Sequence, residues 1–441
     1  MIYLADIMRR VLSIILMLAS VTVAASPFVV GDYAATDSLE VIYRRGIKAF
    51  NSNDHTNAAS SFLVAANGGH AAAQYEYGLC CYNGEGVEIG LEEAFNWFLK
   101  SAMQGYADAQ FSVGYCLENG YGVDASFVEA VDWYTKAASQ GHAAAECAVG
   151  VCYFSGLGVE QNYVVAVEWF KRAAEQGNAE AQSYLGSCYA NGYAVAQDEC
   201  EAARWYAKAA EKNNLEGIYN LAYCYEWGVG VDSDARTAMG LYEKAATQGF
   251  AEAQYALALC YFDEYLGNDK EEAIDWLYEA ASNDLPDAQY MLGQLYYNGD
   301  YLTKDAEKAV MWFSQAAAQG HPDAQCDLGF CYLTGQGTVG SPSVAVQWFV
   351  KSAIQENARA RHNLGVCCYE GIGVEQDYRK AVEWFTLAAE QGYPESQYYL
   401  GVCYYNGQGV AEDSSKGVKL LRKARNGGSE EARKALVYLS K

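Results

Sequence analysis

Small and aromatic residues recur along this chain at the spacing of a helix. Ala94, Trp97, Phe98, Ser101 and Ala102 lie at positions i, i+3, i+4, i+7 and i+8, which together form one face of an α-helix. The positions between them carry polar and charged residues as well as apolar ones. The pattern predicts a helix that packs its small and aromatic face against a neighbour.

A second predicted helix precedes that one. Tyr77, Gly78 and Cys81 share a helical face, and the glycine permits close approach of another backbone. Between the two helices lies the segment Asn83-Gly84-Glu85-Gly86-Val87, whose glycines permit the positive φ of a tight exit from the first helix. The sequence therefore predicts two antiparallel helices joined by a short loop.

This two-helix pattern is repeated ten times. The step is 36 residues except for one of 35. Equivalent positions are Gln74, Gln110, Glu146, Gln182, Ile218, Gln254, Gln289, Gln325, Arg361 and Gln397. In the sixth repeat Asp263-Glu264-Tyr265 replaces the glycine loop, and we expect a different and shorter loop there.

The ends of the second helices carry typical capping residues. The N-cap position holds Gly90, Ser126, Asn162, Asp198, Asp234, Asp269, Asp305, Ser341, Asp377 and Asp413, and all but the glycine can accept a hydrogen bond from a free N–H group. The helices end at Gly105, Gly141, Gly177, Gly249, Gly320, Gly392 and Gly428, as expected for left-handed terminal residues.

The repeated motif resembles a known family. Leu-Gly-x-x-Tyr and Gly-x-Gly-Val occur within residues 400–410, and Lys-Ala-x-x-Trp-x-x-x-Ala-Ala with a final Gly occurs within residues 380–392. This pattern resembles the Sel-one-like repeat (SLR) family, which is related to tetratricopeptide repeats. We predict an all-α fold, a right-handed superhelical solenoid of stacked antiparallel helix pairs.

The repeats define the domain organisation. We predict a signal peptide at residues 1–25, a short linker at 26–40, a helix pair similar to tetratricopeptide repeats at 41–73, ten repeats at 74–428 and a capping helix at 429–441. Arg9 and Arg10 precede a 13-residue, largely apolar run, and small residues end before Ser26, which is typical of an export signal. The alternative is an apolar helix that stays attached. Export to the periplasm or the medium follows from the first interpretation.

Composition and charge narrow the function classes. Of 441 residues 51% are apolar and only 5 are proline, which excludes a disordered chain. The net charge of −25 makes nucleic acid and anionic membrane surfaces unfavourable partners. The chain holds no further apolar run long enough to span a bilayer, so we expect no membrane insertion after signal removal.

Fourteen cysteines first suggest disulfides in an exported protein. Nine of them occupy one repeat position, and equivalent positions in neighbouring helix pairs lie about 9 to 10 Å apart, beyond the reach of a disulfide. The resemblance implies a different pairing, because cysteine-rich members of the family join cysteines eight residues apart. Ala102 and Gln110 stand at those positions here. We interpret the cysteines as buried, reduced packing residues, with structural disulfides as the alternative.

No catalytic, cofactor-binding or metal-binding residue is predicted. His70, His142 and His321 share one repeat position after a terminal glycine, and we interpret them as turn residues. Residues 335–340 match Gly-x-Gly-x-x-Gly, but they fall in a loop between helices and not after a strand, so we regard the match as a coincidence.

Binding is expected on the concave face formed by the first helices, as in related tetratricopeptide architectures. Positions i, i+4 and i+7 of these helices form one stripe whose residues differ between repeats. An aromatic groove on an acidic protein favours a peptide or protein partner with apolar anchors and basic residues. The candidate groove residues are Tyr75, Phe111, Tyr115, Tyr219, Tyr223, Tyr255, Phe262, Tyr290, Tyr297, Tyr398 and Tyr405. The alternative for these side chains is packing between adjacent repeats.

These observations predict an exported, noncatalytic protein-interaction scaffold. Two alternatives stay open. The resemblance allows an enzyme or ligand binder, because some cysteine-rich family members are linked to penicillin binding and β-lactam hydrolysis. A purely architectural component of the cell envelope is the other.

Overall fold

A computed structural model describes residues 38–263 and 266–439. The predicted signal peptide and most of the predicted linker lie outside these residues. The described residues form helices joined by loops and contain no β-strand. The fold class predicted from the sequence, an all-α repeat solenoid, is confirmed.

Helices follow one another in pairs along the described chain. Their bounds are α1 Leu39–Phe50, α2 His55–Asn67, α3 Ala71–Asn83, α4 Leu91–Met103, α5 Ala107–Asn119, α6 Phe127–Ser139, α7 Ala143–Ser155, α8 Tyr163–Glu175, α9 Ala179–Asn191, α10 Glu199–Glu211, α11 Leu215–Trp227, α12 Ala235–Ala246, α13 Ala251–Phe262, α14 Lys270–Ser282, α15 Pro286–Asn298, α16 Ala306–Ala318, α17 Pro322–Thr334, α18 Pro342–Ile354, α19 Ala358–Glu370, α20 Tyr378–Glu390, α21 Pro394–Asn406, α22 Ser414–Asn426 and α23 Glu430–Leu439.

The chain divides after Gly217 into two compact units. The N-terminal unit comprises the helices up to α10 and the start of α11. The C-terminal unit comprises the rest of α11 and the helices that follow it. Each unit contains antiparallel helix pairs in which helices adjacent in sequence pack on one another, as α3 packs on α4.

The predicted caps are present at the starts of the second helices. All ten predicted residues are N-caps, and eight accept a hydrogen bond from a backbone N–H group of the first turn, as when Asp198 accepts from Glu201. Gly90 has no side chain to do so, and Ser341 makes no such bond ahead of Pro342, which begins its helix. The seven predicted terminal glycines all adopt positive φ, between 81° and 100°. The cap residues and terminal glycines predicted from the sequence therefore mark the ends of the second helices.

The hydrophobic core of each unit lies between the packed helices and continues from one helix pair to the next. Ala94, Phe98 and Ala102 of α4 are buried, as are their equivalents in later repeats except Arg425, which replaces Ala102 in the tenth repeat and is exposed. The nine cysteines at the shared position are all buried, and Leu295 takes their place in the seventh repeat. Every cysteine is a free thiol in this structure. Their position supports the interpretation of the cysteines as packing residues.

A hydrogen bond spans the positions where cysteine-rich relatives would have a disulfide. Gln110 Nε2 donates to the carbonyl oxygen of Ala102 at 3.2 Å. Its Oε1 accepts a hydrogen bond of 2.8 Å from Nε2 of Gln140, at the end of the next second helix. We call this pair of bonds the glutamine joint. It also occurs at Gln74, Gln289 and Gln325.

The glutamine joint is incomplete in the fourth repeat. Gln182 Nε2 donates to the carbonyl oxygen of Ala174 at 3.2 Å, but its buried Oε1 has no partner. Lys212 stands where Gln140 and its equivalents supply the donor. A buried acceptor without a partner costs about 1 kcal/mol or more.

We therefore expect Lys212→Gln to stabilise the N-terminal unit by about 1 kcal/mol, because the new amide can complete the joint. Urea unfolding followed by circular dichroism measures this change. Lys212→Ala is the control, since it removes the lysine without supplying a donor. Equal stability of the two variants would contradict the explanation.

Glycine loops connect the repeats as well as the helices. Gly337 has φ +71°, and a β-carbon there would lie 2.0 Å from the carbonyl oxygen of Ala306, at the start of α16. The loop of one repeat thus packs directly on the second helix of the repeat before it. Ala194 and Tyr301 take the equivalent place in two repeats, at φ 55° and 61°.

The expectation of a shorter loop in the sixth repeat is wrong. The segment between α13 and α14 is residues 263–269, as long as residues 84–90 in the first repeat. The missing residue shortens the first helix instead, to 12 residues. Asp263 ends that helix in an extended conformation, where a left-handed glycine ends the first helix of the first repeat.

Burial of the cysteines has a measurable consequence. Burial raises the pKa of Cys80, Cys116 and Cys188 to about 12, so these thiols carry almost no reactive thiolate at neutral pH. Cys200 is the exposed cysteine. We expect one thiol per chain to react rapidly with an aromatic disulfide reagent in the native protein, and all 14 in denaturant without reductant.

Cys200→Ser is the matched control for this titration, and it should remove the rapid phase. Fewer than about half of the thiols free in denaturant would contradict the reduced-cysteine interpretation.

Candidate protein-binding face

The candidate groove residues lie on the first helices of the repeats. Tyr75, Phe111 and Tyr115 belong to the N-terminal unit, and the other eight to the C-terminal unit. None is fully buried, and Tyr223 is the most exposed. We call the surface that these side chains share within each unit the first-helix face.

One series of candidates packs ring against ring. Tyr290 lies 5.8 Å from Phe313 and 4.6 Å from His321, between ring centroids. Tyr75, Phe111 and Tyr219 make equivalent contacts with the second helix and with the residue that caps the next first helix. These four rings pack between adjacent elements, as the packing alternative supposed.

A second series is more open. In the C-terminal unit Tyr223, Leu259 and Phe330 share one repeat position and are 48%, 43% and 40% exposed. Trp227 lies one turn beyond Tyr223, is 65% exposed, and its ring is 6.3 Å from that of Tyr223. Phe262 contacts the exposed ring of Tyr301 at 5.3 Å. The exposed apolar surface of the first-helix face is therefore concentrated here.

Sequence reasoning placed Leu259 on the predicted stripe but not among the candidate groove residues, and it did not select Trp227, Phe330 and Tyr301. A signal was present for Trp227, because most other repeats have Asn, Ser or Thr at its position. The signal for Leu259 and Phe330 was their shared register with Tyr223. Tyr301 carried the same kind of signal as Trp227, because it stands at a loop position that usually holds glycine.

Carboxylates surround the aromatic side chains. Asp287, Asp323 and five other acidic residues share one position near the start of the first helices. In the C-terminal unit the Tyr242 hydroxyl donates to Glu226 at 2.6 Å, and the Tyr290 hydroxyl donates to Asp327 at 2.9 Å. Burial, and then the field of Asp287, raises the pKa of Tyr255. The face thus presents negative charge beside apolar rings.

A cavity of about 410 Å³ opens on this face in the C-terminal unit. It arises where Cys326 replaces the ring found at the position of Tyr290. Arg359 reaches into it and pairs with Asp327 at 2.8 Å. Burial lowers the pKa of His362, which also lines the cavity, to about 4, so this imidazole is neutral at physiological pH.

The repeated histidines cap helices, in agreement with their interpretation as turn residues. Nδ1 of His70, His142 and His321 accepts the N–H of the residue three positions on, at 3.1 to 3.2 Å. Nε2 of each lies 3.1 to 3.4 Å from a carboxylate oxygen of the preceding first helix. Within the described residues no group of three or more His, Cys, Asp or Glu side chains has a geometry that could hold a metal ion.

The tandem repeats identify the family. The Sel1 repeat model matches ten consecutive segments from residue 71 to residue 429: 71–106, 107–142, 143–178, 179–214, 215–250, 251–285, 286–321, 322–357, 358–393 and 394–429. The chain belongs to the Sel1 repeat family. This confirms the family and the ten repeats predicted from the sequence. Proteins of this family generally serve as protein–protein interaction scaffolds.

Two Sel1 repeat structures illustrate the similarity of this chain to known proteins. One is c5321, a protective antigen present in uropathogenic Escherichia coli strains displaying an SLR fold; it is 33% identical, the match covers 90% of this chain and 87% of that one, and the TM-score is 0.64. The other is a Sel1 repeat protein from Oxalobacter formigenes, 34% identical over 54% of this chain and 96% of its own, with a TM-score of 0.52. No curated protein matches this chain significantly. None of the described helices is long and apolar enough to cross a membrane.

Proposed function

We propose that this chain is an exported, noncatalytic scaffold that binds a protein or peptide on its first-helix face. The observation that carries the proposal is the row of exposed apolar side chains Tyr223, Leu259 and Phe330 in the C-terminal unit. Aromatic and aliphatic side chains grouped in this way supply contact area at low entropic cost, and large exposed apolar patches are typical of interaction sites.

The surrounding charge indicates the kind of partner. Glu226 lies on the same helix as Tyr223, and Asp323 lies on the same helix as Phe330. A partner with apolar anchors and basic residues therefore complements this face, and its association should weaken as salt rises.

A triple variant tests the binding face. Tyr223→Ser, Leu259→Ser and Phe330→Ser remove exposed apolar surface and spare the rings of Tyr219 and Tyr290, which pack against other rings. We expect unchanged helicity and at least tenfold weaker binding of a partner that the wild-type chain captures from its own cells. Equal capture by this variant would overturn the proposed face.

The matched control makes the same number of apolar-to-serine changes on second helices. Met311→Ser, Val350→Ser and Ile354→Ser are all at exposed positions of the C-terminal unit. This variant should bind as the wild type does. If both variants lose the partner equally, the exposed rings carry no specific contact.

Export is tested separately. Mass spectrometry of the protein purified from the cell envelope or medium should find a chain that begins at Ser26. A protein that stays in the cytosol and retains the apolar segment would contradict the export proposal. The similarity to a bacterial protective antigen supports the export proposal, because an antigen is accessible to antibodies.

A further inference from the structure

The tryptophans of the second helices form cation–π contacts with basic side chains. In five repeats a basic side chain three residues further along the same helix lies over the indole ring. Its charged group is 3.6 to 4.3 Å from the ring centroid. The pairs are Lys100 with Trp97, Lys136 with Trp133, Arg172 with Trp169, Lys208 with Trp205 and Lys351 with Trp348. This ring position therefore binds a cation repeatedly, within one chain.

The sixth repeat lacks that cation and has an acid in its place. Trp276 of α14 is followed at the third position by Glu279. The second repeat is otherwise closely similar to the sixth at this site. Glu129, Asp132, Trp133 and Lys136 in the second repeat correspond in order to Glu272, Asp275, Trp276 and Glu279 in the sixth. The two sites thus share two carboxylates and the indole, and differ in the sign of the charge beside the ring.

A cleft of about 570 Å³ adjoins this ring. It is lined by Trp276 and its three acidic neighbours, by the end of α12, and by Gln254 and Asn283. Glu272 accepts a hydrogen bond of 3.0 Å from the indole N–H, which fixes the ring orientation. Among the described residues that line the cleft there is no Lys or Arg. The nearby Lys270 donates to the carbonyl oxygen of Phe262.

We propose that the Trp276 cleft binds an organic cation, the ammonium of a lysine side chain or a similar alkylammonium group. The cation lies on the indole face, as Lys136 lies on Trp133, and Glu279 and its neighbours neutralise it. The bound ligand thus supplies the positive charge that a Lys or Arg of the same helix supplies in five other repeats. This site is on a second helix and is independent of the proposed first-helix face.

The indole N–H signals of the full chain provide the readout. In a ¹⁵N-labelled protein each tryptophan gives one such signal, and the signal lost in Trp276→Phe belongs to Trp276. We expect a hexalysine peptide to shift the Trp276 signal saturably and to leave the signals of Trp133 and Trp169 in place. Spermidine is the second probe, and it separates a free polyamine from a polypeptide source. A Trp276 signal that moves no more than the others with either probe would overturn the proposal.

Charge variants make the test specific. Glu279→Lys recreates the arrangement of the second repeat and should weaken binding of the better probe at least tenfold. Glu390→Lys makes the same charge change at an exposed residue of another second helix and should leave binding within about twofold. Lys136→Glu should confer a saturable shift on Trp133. Equal weakening by Glu279→Lys and Glu390→Lys would show that the attraction is only diffuse negative charge. No response of Trp133 in Lys136→Glu would contradict the role assigned to the charge beside the ring.

Discussion

Replacing Gly293 by alanine will destabilise the C-terminal unit by about 3 kcal/mol. A β-carbon at this position would lie 2.4 Å from Cδ1 of Phe313. The Phe313 ring is 1% exposed and packs on Tyr290 and Tyr297, so it cannot move without displacing other side chains. Urea unfolding of the variant, followed by circular dichroism, measures the loss.

The sixth repeat supplies the compensating change. There Ala258 and Leu277 stand at the positions of Gly293 and Phe313, and both are fully buried. Adding Phe313→Leu should therefore recover more than half of the stability that Gly293→Ala loses, although Phe313→Leu alone costs about 1 kcal/mol. A double variant that is less stable than Gly293→Ala alone would contradict this account of the helix contact.

Glu180→Gln will stabilise the N-terminal unit at pH 8 and leave it nearly unchanged at pH 4.5. Burial, and then the charge of Glu118, raises the pKa of Glu180 from 4.5 to about 7. Ionisation in the folded state is therefore unfavourable. The penalty is absent below pH 4.5, grows between pH 4.5 and 7, and is complete above that range.

The expected gain at pH 8 is about 1 to 2 kcal/mol. A rise of the pKa from 4.5 to about 7 corresponds to a loss of folding free energy of at most about 3 kcal/mol. Because Glu180 is partly exposed, solvent screening reduces this loss. Thermal unfolding of variant and wild type across this pH range measures it. Glu160→Gln is the control, because it removes the same charge from an exposed loop. A gain that does not depend on pH would argue against ionisation as the cause.

Most of the fold could be predicted because the same local signals recur at equivalent positions of ten repeats. One Asp before a helix is a weak signal, but acceptors at nine of ten equivalent positions indicate a helix start, and the structure has a helix start at each. The same redundancy located the terminal glycines. It also identified the shared position of Cys80 and its equivalents as a packing position, since Leu295 replaces them.

The candidate face was harder to predict, because its character depends on how side chains meet between repeats. Tyr219 and Tyr223 lie one helical turn apart and look alike in the sequence. The first packs against Tyr242 and Phe250, whereas the second is open. The loop of the sixth repeat was mispredicted because a deletion can be absorbed by a helix as well as by a loop. Register alone does not distinguish these outcomes.

The glutamine joint has a consequence for where this protein can fold. A disulfide staple needs an oxidant, whereas the bonds of Gln110 to Ala102 and from Gln140 form as soon as the helices pack. Because both partners are neutral, ionic strength has little effect on these bonds. The joints can therefore form in a reducing or in an oxidising compartment, while burial protects most thiols from accidental cross-linking.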